Sequence, residues 1–402
     1  MMVSFAVSAW CQWKEPPTAL PDTFTIGLQA SDRIVESDYA LAAEAGFNLV
    51  VPVRPGQEPS QALLKACSAA GIKAIVWDSR LSTYDLSDWD IYNQAFAAYR
   101  DSRAVAGYMV YDSIVVPPAR LAGMGWHMRE LGGGAPEQYR YAEAVPMSRM
   151  PDANAYRRYV RSFFMSGGAL AVYEETDPFS AAALEALKIT GEAAKDAMRA
   201  AAEGARSRGR GGAEADANNV RVWWRRCRLA SATPEMIRWQ AYSAAAAGAK
   251  GIVYLIARPL DTGNPATSRS DSLLDPAGKP VDVFETAKAV NARLAAMGPA
   301  LMKAADAALY TVGAMPANLP SPDDAPITGI KSSIEGDGFL AGVLTGADGR
   351  LAMVVRKPSA AAVPADLTIQ FAPGVSGTIA GTGKPAERLT LLPGEGALLQ
   401  IK

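Results

Sequence analysis

Short apolar runs alternate with segments of helical periodicity over the first three quarters of the chain. Each run is bounded by polar or turn residues, and a segment with apolar positions three or four apart follows it. Eight β/α units in roughly 300 residues match the size and period of a (β/α)8 TIM barrel of the α/β class, with a doubly wound open sheet as the alternative. The predicted strands cover residues 5–10, 47–53, 72–78, 104–112, 139–146, 169–174, 220–229 and 251–256.

The periodicity changes in the last quarter of the chain. Residues 313–326 are rich in Pro, Asn, Ser and Asp, which marks a boundary between domains. Short strand-like runs separated by Gly and Asp-Gly turns follow, and they predict a small antiparallel β-sandwich. The sequence therefore predicts a barrel over 1–312, a linker over 313–326 and a β-sandwich domain over 327–402.

Charge and hydropathy exclude two classes of partner. Lys and Arg number 40 against 41 Asp and Glu, and a net charge of −1 provides no field for a nucleic-acid backbone. The apolar opening, 1–13, is too short to span a bilayer, so no membrane association is expected. This opening has neither a basic flank nor a clear cleavage site. The compartment stays open, with export as one option if a signal peptide was removed, and so does the oligomeric state.

Cysteine and histidine are too few for several kinds of site. Cys11, Cys67 and Cys227 are far apart and form no CxxC pair, which indicates neither a disulfide framework nor a cysteine zinc site. The one histidine, His127, lies in a helical pattern among residues of core type. No metal or other cofactor is expected, and carboxylates must carry any proton transfer.

The residues at the carboxyl ends of the predicted strands are aromatic or charged. In a barrel these ends converge on one pocket. Aromatic faces match the apolar faces of a sugar ring and charged groups match its hydroxyls, so the predicted ligand is a carbohydrate. The candidate binding residues are Trp10, Arg54, Asp78, Tyr173, Glu174, Trp224, Arg226 and Arg228.

Some of these residues have a structural interpretation as well. Asp78 is equally well placed to cap a helix or to pair with Arg80. Alternation along the seventh strand puts Arg226 and Arg228 on one face and Arg225 on the other. Two inward arginines need anionic partners, which are either carboxylates of neighbouring strands or an acidic ligand.

Several segments together resemble a group of (β/α)8 glycoside hydrolases, the β-galactosidase-like enzymes and related barrels. These proteins also carry a C-terminal β-sandwich, and the resemblance extends over nearly the whole chain. It implies the same fold and a carbohydrate-directed function. The segments that carry it are Tyr39–Val50, Gly71–Val76, Val105–Asp112, Ile237–Tyr242 and Leu392–Leu399.

The chain departs from the resembling proteins where their catalytic groups stand. Their fourth strand ends in Asp-Glu-Pro or Asn-Glu-Pro, with Glu as the acid/base, whereas residues 112–114 here are Asp-Ser-Ile. Arg226 and Arg228 occupy the seventh strand, where a nucleophilic Glu is common. The resemblance aligns Glu175 with a family Asp, which leaves Asp112 and Glu175 as the implied catalytic pair.

The sequence predicts a carbohydrate-active protein of glycoside-hydrolase type with an altered catalytic centre, acting on or binding a glycan that the arginines would allow to be acidic. The alternative is a catalytically inactive barrel that serves as a carbohydrate-binding or interaction module. A carboxylate pair at a glycosidase separation among Asp78, Asp112, Glu143, Glu174 and Glu175 would favour an enzyme. Carboxylates held against Arg226 and Arg228 would favour a binding module.

Overall fold

An eight-stranded parallel barrel precedes a two-sheet domain. The computed structural model describes residues 23–29, 35–51, 61–82, 89–99, 101–109, 139–166, 168–173, 177–207, 221–227, 233–255, 272–346, 348–359 and 362–402. The barrel strands are β1 (Thr25–Gln29), β2 (Leu49–Val51), β3 (Lys73–Val76), β4 (Val105–Met109), β5 (Tyr139–Ala144), β6 (Gly168–Tyr173), β7 (Arg221–Cys227) and β8 (Gly251–Tyr254). They pair in chain order and β1 also pairs with β8, which confirms the predicted barrel over the open sheet.

Helices connect and surround these strands. Their apolar faces cover the outer surface of the barrel, as expected for a parallel sheet that is buried on both sides. The helices are α1 (Glu36–Glu44), α2 (Gln61–Ala70), α3 (Trp89–Tyr99), α4 (Ala153–Ser166), α5 (Ala181–Ser207), α6 (Pro234–Ala246) and α7 (Asp282–Lys303), with 3-10 turns at Ser79–Ser82 and Met147–Arg149.

The first barrel strand is not the predicted one. The barrel closes through Thr25–Gln29, and the predicted strand at 5–10 lies outside the described residues. A glycine in the middle weakened the strand pattern of the true β1, yet the fold requires it. A Cβ at Gly27 would lie 2.9 Å from Cγ2 of Val253 in the neighbouring strand. The residue that ends the first strand is therefore Gln29.

Small residues of β6 shape the barrel interior. Ala169 and Ala171 are the buried inward residues of this strand. Because they are small, the bulky side chains of β5 and β7 meet across them. The Trp224 ring lies 5.1 Å from Tyr139, edge to face, and 5.6 Å from Tyr141, stacked. The lower interior is thus a packed aromatic core.

The C-terminal domain is the predicted antiparallel sandwich. Its strands are β9 (Ala304–Gly313), β10 (Ile327–Ser332), β11 (Gly338–Gly346), β12 (Gly349–Arg356), β13 (Ala365–Phe371), β14 (Gly377–Ile379), β15 (Arg388–Leu391) and β16 (Gly396–Ile401). One sheet has the order β10-β13-β15 and the other β14-β16-β12-β11-β9. Strand β9 follows α7 directly and pairs with β11.

The five-stranded sheet is buried on both faces. Alternate residues such as Phe339 face the three-stranded sheet, while Leu340 and its equivalents join the core that covers the barrel. Helix α6 lies between this sheet and the barrel, and a Cβ at Gly342 would overlap the carbonyl oxygen of Ala246. The barrel and the sandwich therefore share α6 as a buried layer.

We expect Gly342→Ala to destabilise the fold by about 2 kcal/mol or more, because the added methyl meets a fixed backbone carbonyl. Gly329→Ala is the matched control. Its methyl meets only the amide end of Gln370, which can rotate away. Urea denaturation of both variants measures the difference, and equal stability of the two would contradict the packing.

A buried lysine joins the barrel to the sandwich. Lys250 precedes β8, and its Nζ donates hydrogen bonds to the carbonyl oxygens of Leu301, at 2.5 Å, and Ala304. These carbonyls lie at the end of α7, where a cation is favourable. Burial nevertheless lowers the pKa of Lys250 to about 8.

This lowered pKa predicts a pH dependence. Lys250 has a pKa of 10.5 when unperturbed, so between pH 8 and 10.5 the unfolded chain binds the proton more strongly. Burial of the charged Lys250 lowers the free energy of unfolding, and this loss of stability is fully present below pH 8 and disappears as the pH rises to 10.5. We expect wild type to gain about 1–3 kcal/mol relative to Lys250→Met between pH 7 and pH 10. Urea titrations across this range test it, and a constant or falling difference would refute it.

Candidate functional site

The carboxyl ends of the barrel strands form the candidate site. Functional groups of (β/α)8 barrels lie at this end. Strand alternation and the interior cluster place one residue near the end of each of several strands toward the axis. Those with the largest side chains are Gln29 of β1, Trp77 after β3, Met109 of β4, Glu143 of β5 and Arg226 of β7.

An ion pair lies at this end of the interior. Glu143 and Arg226 each stand one residue before the end of their strand. The Arg226 guanidinium contacts Glu143 Oε1, and the side chains are 2% and 6% exposed, Arg226 being the more buried. The Tyr141 hydroxyl donates to the same Oε1 at 2.8 Å. Glu143 is thus held by an arginine and a tyrosine, and the two opposite charges neutralise each other.

The pair joins β5 to β7 across β6. The register aligns Glu143 with Ala171 of β6, and it aligns Arg226 with Tyr173 of the same strand. The predicted internal partner of Arg226 is therefore a carboxylate two strands away.

Arg225 points to the opposite side of β7, as alternation predicts. Its NH1 donates to the carbonyl oxygen of Gln240 at 3.1 Å and to Ser243 Oγ at 2.5 Å, both in α6. The Ser243 hydroxyl in turn donates to the Trp239 carbonyl at 2.5 Å. Arg225 thus anchors β7 to the buried helix and takes no part in the barrel mouth.

Asp78 serves the structural role that the sequence offered as its alternative. Trp77 faces the barrel axis, so Asp78 faces the helices. Its fully buried carboxylate accepts hydrogen bonds from Arg80 Nε at 2.9 Å and NH2 at 2.6 Å, and from the Tyr99 hydroxyl at 2.9 Å. Burial raises the pKa of Asp78, but these hydrogen bonds outweigh burial and hold the pKa below its ordinary value. Asp78 is therefore unsuited to proton donation.

Trp224 belongs to the barrel core. It is 0% exposed and lies between the two tyrosines of β5, below the Glu143–Arg226 pair. This placement leaves no open indole face for a sugar in the described part of the barrel. Alternation turns Trp224 inward one layer below the strand end, where it packs in the core.

The remaining predicted residues are not located by the structure. The side chain of Tyr173, the last residue of β6, is not described, so the proposed catalytic and binding roles stay predictions. Sequence reasoning missed Gln29, because it misplaced the first strand, and Tyr141, whose signal was its spacing of two from Glu143. The predicted residues outside the described part are Trp10, Arg54, Asp112, Glu174, Glu175 and Arg228.

The described residues offer neither a metal site nor a membrane-spanning helix. No group of three or more His, Cys, Asp or Glu side chains there is arranged to hold a metal ion. Across the same part of the chain, no helix has the length and apolar character needed to cross a membrane.

Comparison with known proteins finds similarity of fold. No protein-family model and no curated protein matches the chain. The chain is similar to a family 39 glycoside hydrolase from the gut symbiont Bacteroides cellulosilyticus WH2, with a TM-score of 0.52 and 12% identity over 96% of this chain and 83% of that one. A second similarity, to the exo-beta-1,4-mannosidase Op5Man5 from Opitutaceae bacterium strain TAV5, has a TM-score of 0.45 and 13% identity over 69% and 60% of the two chains. The first confirms, at the level of fold, the resemblance to glycoside-hydrolase barrels.

A double-mutant cycle tests the buried pair. Glu143→Met or Arg226→Met alone removes one partner of a buried ion pair, and we expect each to reduce the free energy of unfolding by about 3–5 kcal/mol. The double variant should lose much less than the sum, because it removes both charges. Urea denaturation of the four proteins gives the coupling, and additive losses would show that the two side chains do not interact.

Proposed function

We propose that the chain is a carbohydrate-active barrel of glycoside-hydrolase type with an altered catalytic centre, which binds a glycan at the carboxyl ends of its strands. The observation that carries the altered centre is the buried Glu143–Arg226 pair. It puts an arginine in β7, where the resembling enzymes commonly carry a nucleophilic Glu, and commits the β5 carboxylate to that arginine. The shared fold supports the glycoside-hydrolase type but does not set the activity.

The described carboxylates at this end do not form a hydrolytic pair. Hydrolysis of a glycoside usually needs one carboxyl group that donates a proton and a second that acts as nucleophile or base. Asp78 faces the helices with a lowered pKa, and Glu143 is held by Arg226 and Tyr141. In our proposal, any hydrolysis therefore depends on Asp112 and Glu175.

The proposed glycan contacts come from the strand-end residues predicted by the sequence. Trp10 and Tyr173 would supply aromatic faces, and Glu174 would supply hydroxyl partners. Arg54 and Arg228 would contact an acidic group if the ligand has one. The Glu143–Arg226 pair would form the floor beneath these groups.

A catalytically inactive binding module is the second candidate. The observation that favours it is the same pair, since a carboxylate held against Arg226 is the arrangement expected of a binding module. Both candidates bind a glycan, and they differ in whether the glycan is hydrolysed.

Isothermal titration calorimetry with neutral and uronic oligosaccharides, followed by product analysis, separates the two candidates. Wild-type binding that Trp10→Ala weakens supports the site, and absence of binding to every sugar would refute both candidates.

Restoring an acid should raise hydrolysis. A serine hydroxyl cannot protonate a leaving alkoxide at neutral pH, so wild type should act, if it acts at all, more readily on activated aryl glycosides than on unactivated ones. We expect Ser113→Glu to increase turnover of unactivated glycosides by about tenfold or more, consistent with the usual gain from general acid catalysis. Glu175→Gln should abolish whatever turnover exists.

Ser321→Glu is the matched control for this test, because it adds the same carboxylate at an exposed position of the sandwich domain. It should leave turnover unchanged. Brisk wild-type hydrolysis of an unactivated glycoside that Glu175→Gln does not affect would show that the catalytic residues are placed wrongly.

A further inference from the structure

Helix α6 contacts two segments that are far apart in the sequence. One is the turn at residues 392–395, which joins β15 to β16 in the sandwich domain. The other is the segment at residues 177–180, the end of the loop that joins β6 to α5 at the carboxyl ends of the barrel strands. The N-terminal half of α6 thus connects the sandwich domain to the end of the barrel that carries the candidate site.

The 392–395 turn lies directly against the backbone of α6. Gly394 has a φ of +75°, and a Cβ there would overlap the carbonyl oxygen of Glu235. Arg238 Nε donates a hydrogen bond to the Pro393 carbonyl oxygen at 2.8 Å. Glycine is therefore required at position 394 both by its backbone conformation and by the close approach of the helix.

Further contacts hold this turn in place. Its Glu395 carboxylate accepts a hydrogen bond from the Leu392 amide at 2.7 Å and contacts the Arg293 guanidinium of α7. The Gly394 amide donates to the carbonyl oxygen of Arg356, the last residue of β12, at 3.1 Å. The turn is therefore a fixed support for the first two turns of α6.

Trp239 makes the contact of α6 with the loop. Its side chain is fully buried, and its Nε1 donates a hydrogen bond to the Pro178 carbonyl oxygen at 2.8 Å. Its ring also lies 5.3 Å from the Phe179 ring, edge to face. A buried carbonyl that loses its donor keeps the cost of desolvation, so this hydrogen bond favours one position of the loop over others.

The 177–180 segment is itself a defined turn. The Phe179 amide donates to Asp177 Oδ1 at 2.9 Å, and the Ser180 amide donates to the Asp177 carbonyl oxygen at 3.2 Å. Ser180 Oγ accepts from the Ala183 amide at 3.1 Å at the start of α5. Trp239 therefore holds a preformed turn against α6.

We infer that the sandwich domain positions the β6–α5 loop at the candidate site, and that Trp239 is the positioning residue through which it does so. The turn fixes the helix, and Trp239 fixes the loop to the helix. The consequence for binding rests on the proposed function, which assigns Glu175 of the same loop to the glycan site. A loop released from α6 would be in its binding position for a smaller fraction of the time.

Hydrogen exchange of the full chain at low urea tests the positioning. Trp239→Phe keeps a ring against Phe179 and removes the Nε1 donor. We expect exchange of the Phe179 and Ser180 amides to become about tenfold faster or more, with the rest of the chain unchanged. Tyr310→Phe is the matched control, because it removes a buried donor to a backbone carbonyl, that of Ile327, within the sandwich domain.

A second pair of variants tests the contribution of the sandwich domain. Gly394→Ala adds a methyl group against α6 and should also accelerate exchange in the 177–180 segment. Gly374→Ala is its control, since Gly374 has a φ of +76° and a Cβ there would meet none of the described atoms within 4 Å. If Gly394→Ala does not fold, Arg238→Met removes the hydrogen bond to Pro393 with less steric change.

Local exchange distinguishes positioning from a general structural role. Exchange in the 177–180 segment that is no faster in Trp239→Phe and Gly394→Ala than in their controls would overturn the inference. Equally faster exchange throughout the chain would also overturn it, because that pattern indicates a loss of global stability.

Calorimetry with neutral and uronic gluco-, galacto- and manno-oligosaccharides measures the consequence for binding. Trp239→Phe and Gly394→Ala should raise the dissociation constant of the glycan that wild type binds by about tenfold, and the two controls should not. Unchanged binding despite faster loop exchange would overturn the role of the loop in binding. Failure of wild type to bind any sugar would overturn the proposed function, while the exchange data would still decide whether Trp239 positions the loop.

Discussion

The burial of α6 between the barrel and the five-stranded sheet is the constraint on which the rest of the structure depends. Gly342 lets the sheet approach the backbone of α6 at Ala246. Arg238 of α6 also donates a hydrogen bond from Nε to the carbonyl oxygen of Pro393, in the sandwich domain, at 2.8 Å. A helix enclosed on both sides cannot shift to relieve strain in a neighbour. The strand it contacts, β7, is thereby held in one register and one orientation.

Fixing β7 determines the chemistry of the barrel mouth. Arg225 can reach Gln240 and Ser243 only if it faces α6, and the two-residue period of a strand then turns Arg226 toward the axis. A guanidinium in that position needs an anionic partner, because burial of an unpaired charge is strongly destabilising. Glu143 meets this requirement from β5, across β6. The identities of residues in β5 and β7 are thus physically linked.

The parts of the fold that depend on local periodicity could be predicted from the sequence. The β/α repeat predicted the barrel, and alternation separated Arg225 from Arg226. The first strand was missed because Gly27 interrupts its apolar pattern, and Gly27 is required only by the closure of β1 on β8. Strand β9 was not predicted, because its alanine-rich sequence continues directly from α7. The sequence could not identify Glu143 as the partner of Arg226, because a contact across β6 depends on the closed barrel.

The fold and the arrangement of charges answer different questions about function. A closed barrel brings strand ends together whatever residues stand there, which is why a similar fold at 12% identity carries no activity with it. A carboxylate that acts as general acid must gain and lose a proton during the reaction. The Glu143 carboxylate is held in place by both an arginine and a tyrosine. In our proposal, proton transfer therefore falls to Asp112 and Glu175, while the Glu143–Arg226 pair joins β5 to β7.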